Sequence, residues 1–174
     1  MYRIWIFLLI NLWIIYISRH SFFKPRSHGF YRFFAFETIL IMALANAGVW
    51  FLEPFSLLQI LSWLCLSGSA ILALHGFYLL KSSGKPKERF ENTTVLVQDG
   101  AYRFIRHPMY ASLLLLGAGV FLKGPSLVNA ALLTGLLAFV TMAGRVEEEE
   151  NLERFGKSYA EYMRSTKMFI PIIF

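Results

Sequence analysis

Residues 108–144 read PMYASLLLLGAGVFLKGPSLVNAALLTGLLAFVTMAG. Two apolar runs flank Gly124, Pro125 and Ser126, and Lys123 is the one charged residue among them. A turn that short between runs of helical length implies an antiparallel hairpin. Crossing a bilayer core takes about 20 helical residues, so the pair reads as two spans, 108–123 and 127–144. Upstream the pattern recurs: 33–52 and 56–80 are joined by Glu53, Pro54 and Phe55, and another apolar run fills 2–18. That first run carries tryptophans and leads into RHSFFKPR, so it reads as a span and not as a signal peptide. The expected fold is an all-α integral membrane bundle of five transmembrane helices, a single membrane domain over 1–174 with a cytoplasmic C-terminal amphipathic helix.

Composition supports a membrane protein. Of 174 residues, 56% are hydrophobic, 17% aromatic and 16% charged, and the mean hydropathy is +0.52. A water-soluble globule is excluded on these values, and so is a disordered chain, which needs few aromatics and dense charge. The single Cys65 permits no internal disulfide and no cysteine-rich zinc site. The net charge of +6 does not point to nucleic acid, because the basic residues fall in the gaps between apolar runs. Arg19, Lys24, Arg26 and Arg32 lie in the first gap, six more between 81 and 106, and five from Arg145 onward, against Arg3 and Lys123 on the other side. That asymmetry places the C-terminus in the cytoplasm and the N-terminus outside, in the inner membrane if the protein is bacterial.

Two polar clusters flank the 108–144 hairpin. Before it stand Tyr102, Arg103, Arg106 and His107, then Pro108 and Tyr110. Proline suits the first turn of a helix, which sets Arg106 and His107 beside unpaired N–H groups able to hold an anion. The plainer reading is that both residues anchor the helix in headgroups. After the hairpin come Arg145 and four consecutive glutamates, 147–150, followed by Leu152, Phe155, Tyr159 and Tyr162 at spacings of three and four. Four consecutive helical residues cover a full turn, so at least one glutamate faces the bundle. The plainer alternative is a solvated face with an Arg145–Glu149 pair. His20, His28, His75 and Glu37 read as interfacial or packing residues. No metal site is expected, since no two histidines share an i, i+3 or i, i+4 spacing. Asn46 and Asn129 are suited to hydrogen bonds between helices, and Gly117 and Gly119 to close helix approach.

Together the two clusters carry a family resemblance. LVQDGAYRFIRHPMY (96–110) fits the pattern LV-x-x-G-x-Y-x-x-x-RHP-x-Y, and RVEEEENLERFGKSYAEY (145–162) fits Arg-x-Glu-Glu followed by Phe-Gly and Tyr-x-x-Tyr. Over 84–171 the chain resembles the isoprenylcysteine carboxyl methyltransferase family and, more distantly, the phospholipid N-methyltransferases. The resemblance implies S-adenosylmethionine as cofactor, held between the loop before the RHP helix and the helix after the last span. It places Thr94, Val95, Leu96 and Val97 along the adenosine, with Gly100, Tyr102, His107, Pro108, Met109 and Tyr110 closing the pocket. Counting back from Phe155 and Gly156 puts the family's cofactor glutamate at Glu147, with Glu148 beside it. Counting forward from Arg145 puts it at Glu149. Arg145 corresponds to the substrate-binding arginine, and Arg145 and Glu148 to the catalytic pair.

The implied activity is methyl transfer to a carboxylate of a lipophilic or lipidated substrate at the cytoplasmic face, with membrane lipids as the other partners and no metal or nucleic acid. Alternatives are a phospholipid N-methyltransferase or small-thiol S-methyltransferase, and a sterol-reductase-like enzyme with NADPH, for which Arg89, Arg103 and Arg106 would meet the 2′-phosphate. A non-catalytic membrane scaffold is the remaining reading.

Overall fold

The computed structural model describes residues 2–22, 27–87 and 93–171. Lys24, Arg26 and Arg89 therefore lie outside the described residues, as do the side chains of Arg3, Arg19 and His20. Six α-helices occur among the described residues: α1 (Tyr2–Phe22), α2 (His28–Ala45), α3 (Leu57–Ser82), α4 (Pro108–Lys123), α5 (Leu127–Phe155) and α6 (Lys157–Ser165). Serines open three of them. Ser27, Ser56 and Ser126 each accept a hydrogen bond from the backbone N–H three residues on, satisfying a donor that the first helical turn leaves orphaned.

The five-span expectation does not hold. Among the described residues two helices, α3 and α5, are long and apolar enough to cross a membrane. The 16 residues of α4 reach about 24 Å at 1.5 Å per residue, short of a core of about 30 Å. In α2 the helix ends at Ala45 and residues 46–56 form turns, so the expected span over 33–52 mixes helix with turn. α1 runs over 21 residues, of which the apolar stretch Trp5–Tyr16 is described in full. Hydropathy records where apolar side chains are tolerated. It does not record how far a helix runs before its backbone turns. On α3 and α5 most of the apolar window is uncovered by protein, with Leu64, Ile71, Leu74, Leu127 and Val128 all exposed. Surface of that kind is stable against lipid.

Pairing between helices follows small and polar residues. α3 and α4 run antiparallel, the Ser62 hydroxyl donating to the Gly119 carbonyl and Ser69 to the Ser112 carbonyl, both at 2.7 Å. Gly119 permits that approach, since a Cβ there would stand 2.9 Å from Leu66 and 3.1 Å from the Ser62 carbonyl. Gly117 faces the other neighbour, where a Cβ would meet Leu136 of α5 at 2.2 Å. α2 packs antiparallel on α5 and not against its sequence neighbour α3, with Phe34 stacked on Phe139. The core combines Ala35 and Ile39 of α2, Tyr110 and Ala111 of α4, Leu136, Val140 and Ala143 of α5, and Met168 and Phe169 of the C-terminal segment.

One end of the bundle is closed by polar contacts. Asn129 donates to Asn46 (2.9 Å) and to the Gly124 carbonyl (2.7 Å), while Asn46 donates to the Val120 carbonyl (2.8 Å). Lys123 is buried there rather than facing the surface: its ammonium donates to Gln59 at 2.8 Å and lies 3.7 Å from the centre of the Trp63 ring. The other end, where α2 begins, α3 ends and α4 begins, holds the cavity.

Candidate functional site

Three segments converge at the open end. From 93 to 107 the chain is extended or turned, with a 3-10 turn at Gly100–Arg103. Its start is tied to the turn just after α3 by Thr94 and Val95 N–H bonds to the Gly84 carbonyl, at 2.9 and 3.2 Å. Gly100 has φ +56°, and a Cβ there would lie 2.5 Å from His75 of α3, so only glycine lets the loop lie this close. The C-terminal segment then pairs with the loop. Arg106 N–H donates to the Lys167 carbonyl (2.8 Å) and His107 N–H to the Met168 carbonyl (3.1 Å), forming a short parallel bridge. α5 continues past its apolar part through all four glutamates to Phe155, and Gly156, at φ +56°, turns the chain into α6. The Leu152, Phe155, Tyr159, Tyr162 stripe is thereby divided between two helices, with Leu152 exposed.

These segments enclose a cavity of about 290 Å3, at the lower edge of the roughly 300–1,000 Å3 common for small-molecule sites. Of the residues the sequence singles out, Leu96, Val97, Tyr102, His107, Met109, Tyr110 and Glu147 line it. Thr94, Val95, Gly100 and Pro108 do not, and they hold the loop and helix start in place. Arg145 and Glu148 are not brought into this cavity either. Arg145 is exposed and lines a separate open recess with Arg106, Glu148 and Lys167, and Glu149 is exposed. Arg106 of the first motif and Phe155, Tyr159 and Tyr162 of the second also line the cavity, together with residues that neither motif selects: Arg32 and Phe36 from α2, Thr93 and Asn151. Phe155, Tyr159 and Tyr162 were visible in the sequence both as motif residues and as members of the apolar stripe. For Arg32 and Phe36 there was no such sign, because α2 meets the site through its tertiary packing on α5 and α4.

Adjacent glutamates have different work. Glu147 lines the cavity, its carboxylate 3.9 Å from His107 Nδ1. Glu148 is buried and receives the Arg106 Nε–H at 2.5 Å, with His107 Nε2 at 3.4 Å. Burial alone would raise the Glu148 pKa, but His107 and Arg106 outweigh it and hold the carboxyl below its ordinary range. Arg106 also donates to the Met163 and Thr166 carbonyls, so its guanidinium is committed to joining α5, α6 and the C-terminal segment. Burial raises the pKa of Tyr102, helped by the charge of Glu147, and likewise raises those of Tyr159 and Tyr162. All three phenols stay neutral at physiological pH. Tyr162 spends its hydroxyl on the Tyr102 carbonyl at 2.5 Å, fixing α6 over the 3-10 turn.

Chemically the site offers an apolar slot (Leu96, Val97, Met109), a carboxylate (Glu147) and the start of α4. That helix has proline in its first turn and no side-chain cap, so its first N–H groups have no intrahelical acceptor. No curated protein matches the chain. The phospholipid methyltransferase family model matches residues 57–158, which take in α3, the loop, α4, α5 and the start of α6. That match extends over more than half of the sequence and includes most of the cavity wall, and it shows that the chain belongs to the phospholipid methyltransferase family, as a membrane-associated enzyme of methyltransferase type.

Proposed function

We propose that the protein is an S-adenosylmethionine-dependent methyltransferase whose acceptor is the amine head group of a phospholipid-like amphiphile. The family match favours this over the isoprenylcysteine carboxylate that the motif resemblance puts first. The observation that carries the reading is the meeting of Leu96, Val97, Tyr102, His107, Met109 and Tyr110 with Glu147 in one cavity, although some 35 residues of helical hairpin separate the two groups.

The residues fit the cofactor's chemistry. Leu96, Val97 and Met109 would bind the adenosine portion, Glu147 the ammonium, and His107 with the first turn of α4 the carboxylate. When bound, the cofactor supplies an electrophilic methyl group on a sulfonium, open to in-line displacement. The protein's own part is placement and exclusion of water: buried aromatic walls desolvate an amine nucleophile, and the fixed loop holds it in line. Lys and Arg gather at the C-terminal ends of α3 and α5, beside the cavity, which supports a site at the cytoplasmic face.

Calorimetric titration of the detergent-solubilised protein with S-adenosylhomocysteine, with NADPH in parallel, tests the reading. Saturable micromolar binding of the first alone is expected. Binding of NADPH would favour the reductase alternative, and binding of neither would remove the cofactor role altogether.

A further inference from the structure

Arg145 is the first charged residue after the apolar run of α5, and the first charge past a membrane-crossing run stands at the depth of the lipid head groups. It has company there. Arg145, Arg106 and Lys167 line an open recess of about 370 Å3 with Glu148, Met163 and Met168. Arg106 lines both this recess and the cavity, whereas Arg145, Lys167 and Glu148 line the recess alone of the two. The charges of the recess do not cancel. Its carboxylate, Glu148, is answered by Arg106 and His107. Arg145 and Lys167 make no side-chain hydrogen bond or ion pair among the described residues, and the Arg145–Glu149 pair that the spacing allows is not formed. Arg106 spends Nε on Glu148 and Nη1 on two carbonyls, and its Nη2 donors have no acceptor among the described residues. The backbone carrying Lys167 is fixed, its N–H donating to the Phe104 carbonyl and its own carbonyl accepting from Arg106. Exposed apolar side chains accompany these cations: Phe104 lies two residues before Arg106, and Ile170 three after Lys167.

We infer that this recess binds the phosphate of an anionic membrane phospholipid, with the Arg145 guanidinium and the Lys167 ammonium on its oxygens. The ligand needs no amine and is not a methyl acceptor, since Arg145 and Lys167 stand outside the cavity. The inference is independent of the methyltransferase reading. A planar guanidinium forks two donors onto phosphate oxygens, and an ammonium adds a point charge beside it. Free phosphate would meet the same cations. The depth of Arg145 at the end of an apolar run, and the exposed Phe104 and Ile170 next to the other cations, fit a phosphate that arrives with acyl chains attached.

Binding to the full-length protein in maltoside micelles and phosphate-free buffer, with no cofactor added, tests the inference with three probes: dioctanoylphosphatidylglycerol, dioctanoylglycerol and inorganic phosphate. The phosphatidylglycerol should bind saturably, and about tenfold or more tightly than dioctanoylglycerol, which lacks the phosphate, or inorganic phosphate, which lacks the chains. Lys167→Gln should weaken it about threefold, and Arg145→Gln combined with Lys167→Gln about tenfold or more, with helical circular dichroism unchanged. If the double variant does not fold, Lys167→Gln carries the test alone, since that residue is exposed. Undiminished phosphatidylglycerol binding in the folded variants overturns the inference. Equal binding of dioctanoylglycerol overturns it by showing apolar contact only, and equal binding of inorganic phosphate does so by showing a free-phosphate site. Because no cofactor is present, each of these outcomes leaves the methyltransferase reading standing, and failure of S-adenosylhomocysteine to bind in its own titration leaves the lipid site standing.

Discussion

Glu147 and Glu148 differ by one position and by about 100° around α5, and that rotation separates recognition from architecture. Glu147→Gln should reduce S-adenosylhomocysteine affinity by about 1–3 kcal/mol, the scale of a charged hydrogen bond, while leaving thermal stability near wild type. Glu148→Gln should show the reverse emphasis, lowering stability by about 1.5–3 kcal/mol because the half-buried Arg106 loses its charged partner. Calorimetry and a thermal melt on the same two variants separate the roles. The pH dependence follows from the same contact. A carboxyl whose folded pKa is depressed stabilises the fold above its unfolded value, ordinarily 4.5, and that contribution is lost as pH falls through the folded pKa. The wild-type protein should therefore lose stability on acidification below about 4.5 more steeply than Glu148→Gln. Equal acid limbs would show that the contact contributes nothing.

Between helices, glycines act for two different reasons, and alanine tells them apart. At Gly117 the added methyl group collides with Leu136, so Gly117→Ala should cost about 1–3 kcal/mol through overpacking of α4 on α5. At Gly156 nothing lies within 4 Å of the added carbon, but φ is +56°. Gly156→Ala should cost about 1–2 kcal/mol through backbone conformation alone. Because Tyr159 and Tyr162 follow that turn, Gly156→Ala should also weaken S-adenosylhomocysteine, whereas Gly117→Ala should change melting temperature and leave affinity close to wild type. The close approach at Gly117 and Gly119 and the hydrogen bonding of Asn46 and Asn129 were legible in the sequence, since small and polar residues inside apolar helices have few other uses. The break at Gly156 was not: spacings of three and four continue across it, and a periodic stripe cannot show that the backbone has turned between its members.

Across the molecule, the bundle is closed at the Asn46–Asn129 end and open at the end sealed by the chain's own C-terminal segment. Residues 166–169 supply carbonyls to Arg106 and His107 and place Met168 and Phe169 in the core. Burial of two such side chains contributes about 1.5–3 kcal/mol each. Truncation after Ser165 should leave the helical circular dichroism largely intact while weakening S-adenosylhomocysteine binding more than tenfold, because the loop bearing His107 loses its support. Retained affinity would show that the loop is held by α6 and α3 alone.

Read by itself, the sequence determined the helical, lipid-compatible character of the chain, the 124–126 turn and the two polar blocks that flank the hairpin. Those properties depend on local composition and spacing, which a linear string records. The number of helices long enough to cross a membrane was decided by where each backbone turns, and Asn46, spent on α4 and α5, ends α2 earlier than hydropathy implies. Tertiary packing also decided which glutamate faces the cavity, why Arg145 stands outside it, and that Arg32 stands beside it. Each depends on a partner dozens of residues away: Arg106 draws Glu148 inward and leaves Glu147 to the cavity, and α2 reaches the site because it packs along α5 and against α4. Orientation about a helix axis is set by what the helix meets, and the sequence of one helix does not contain its neighbours.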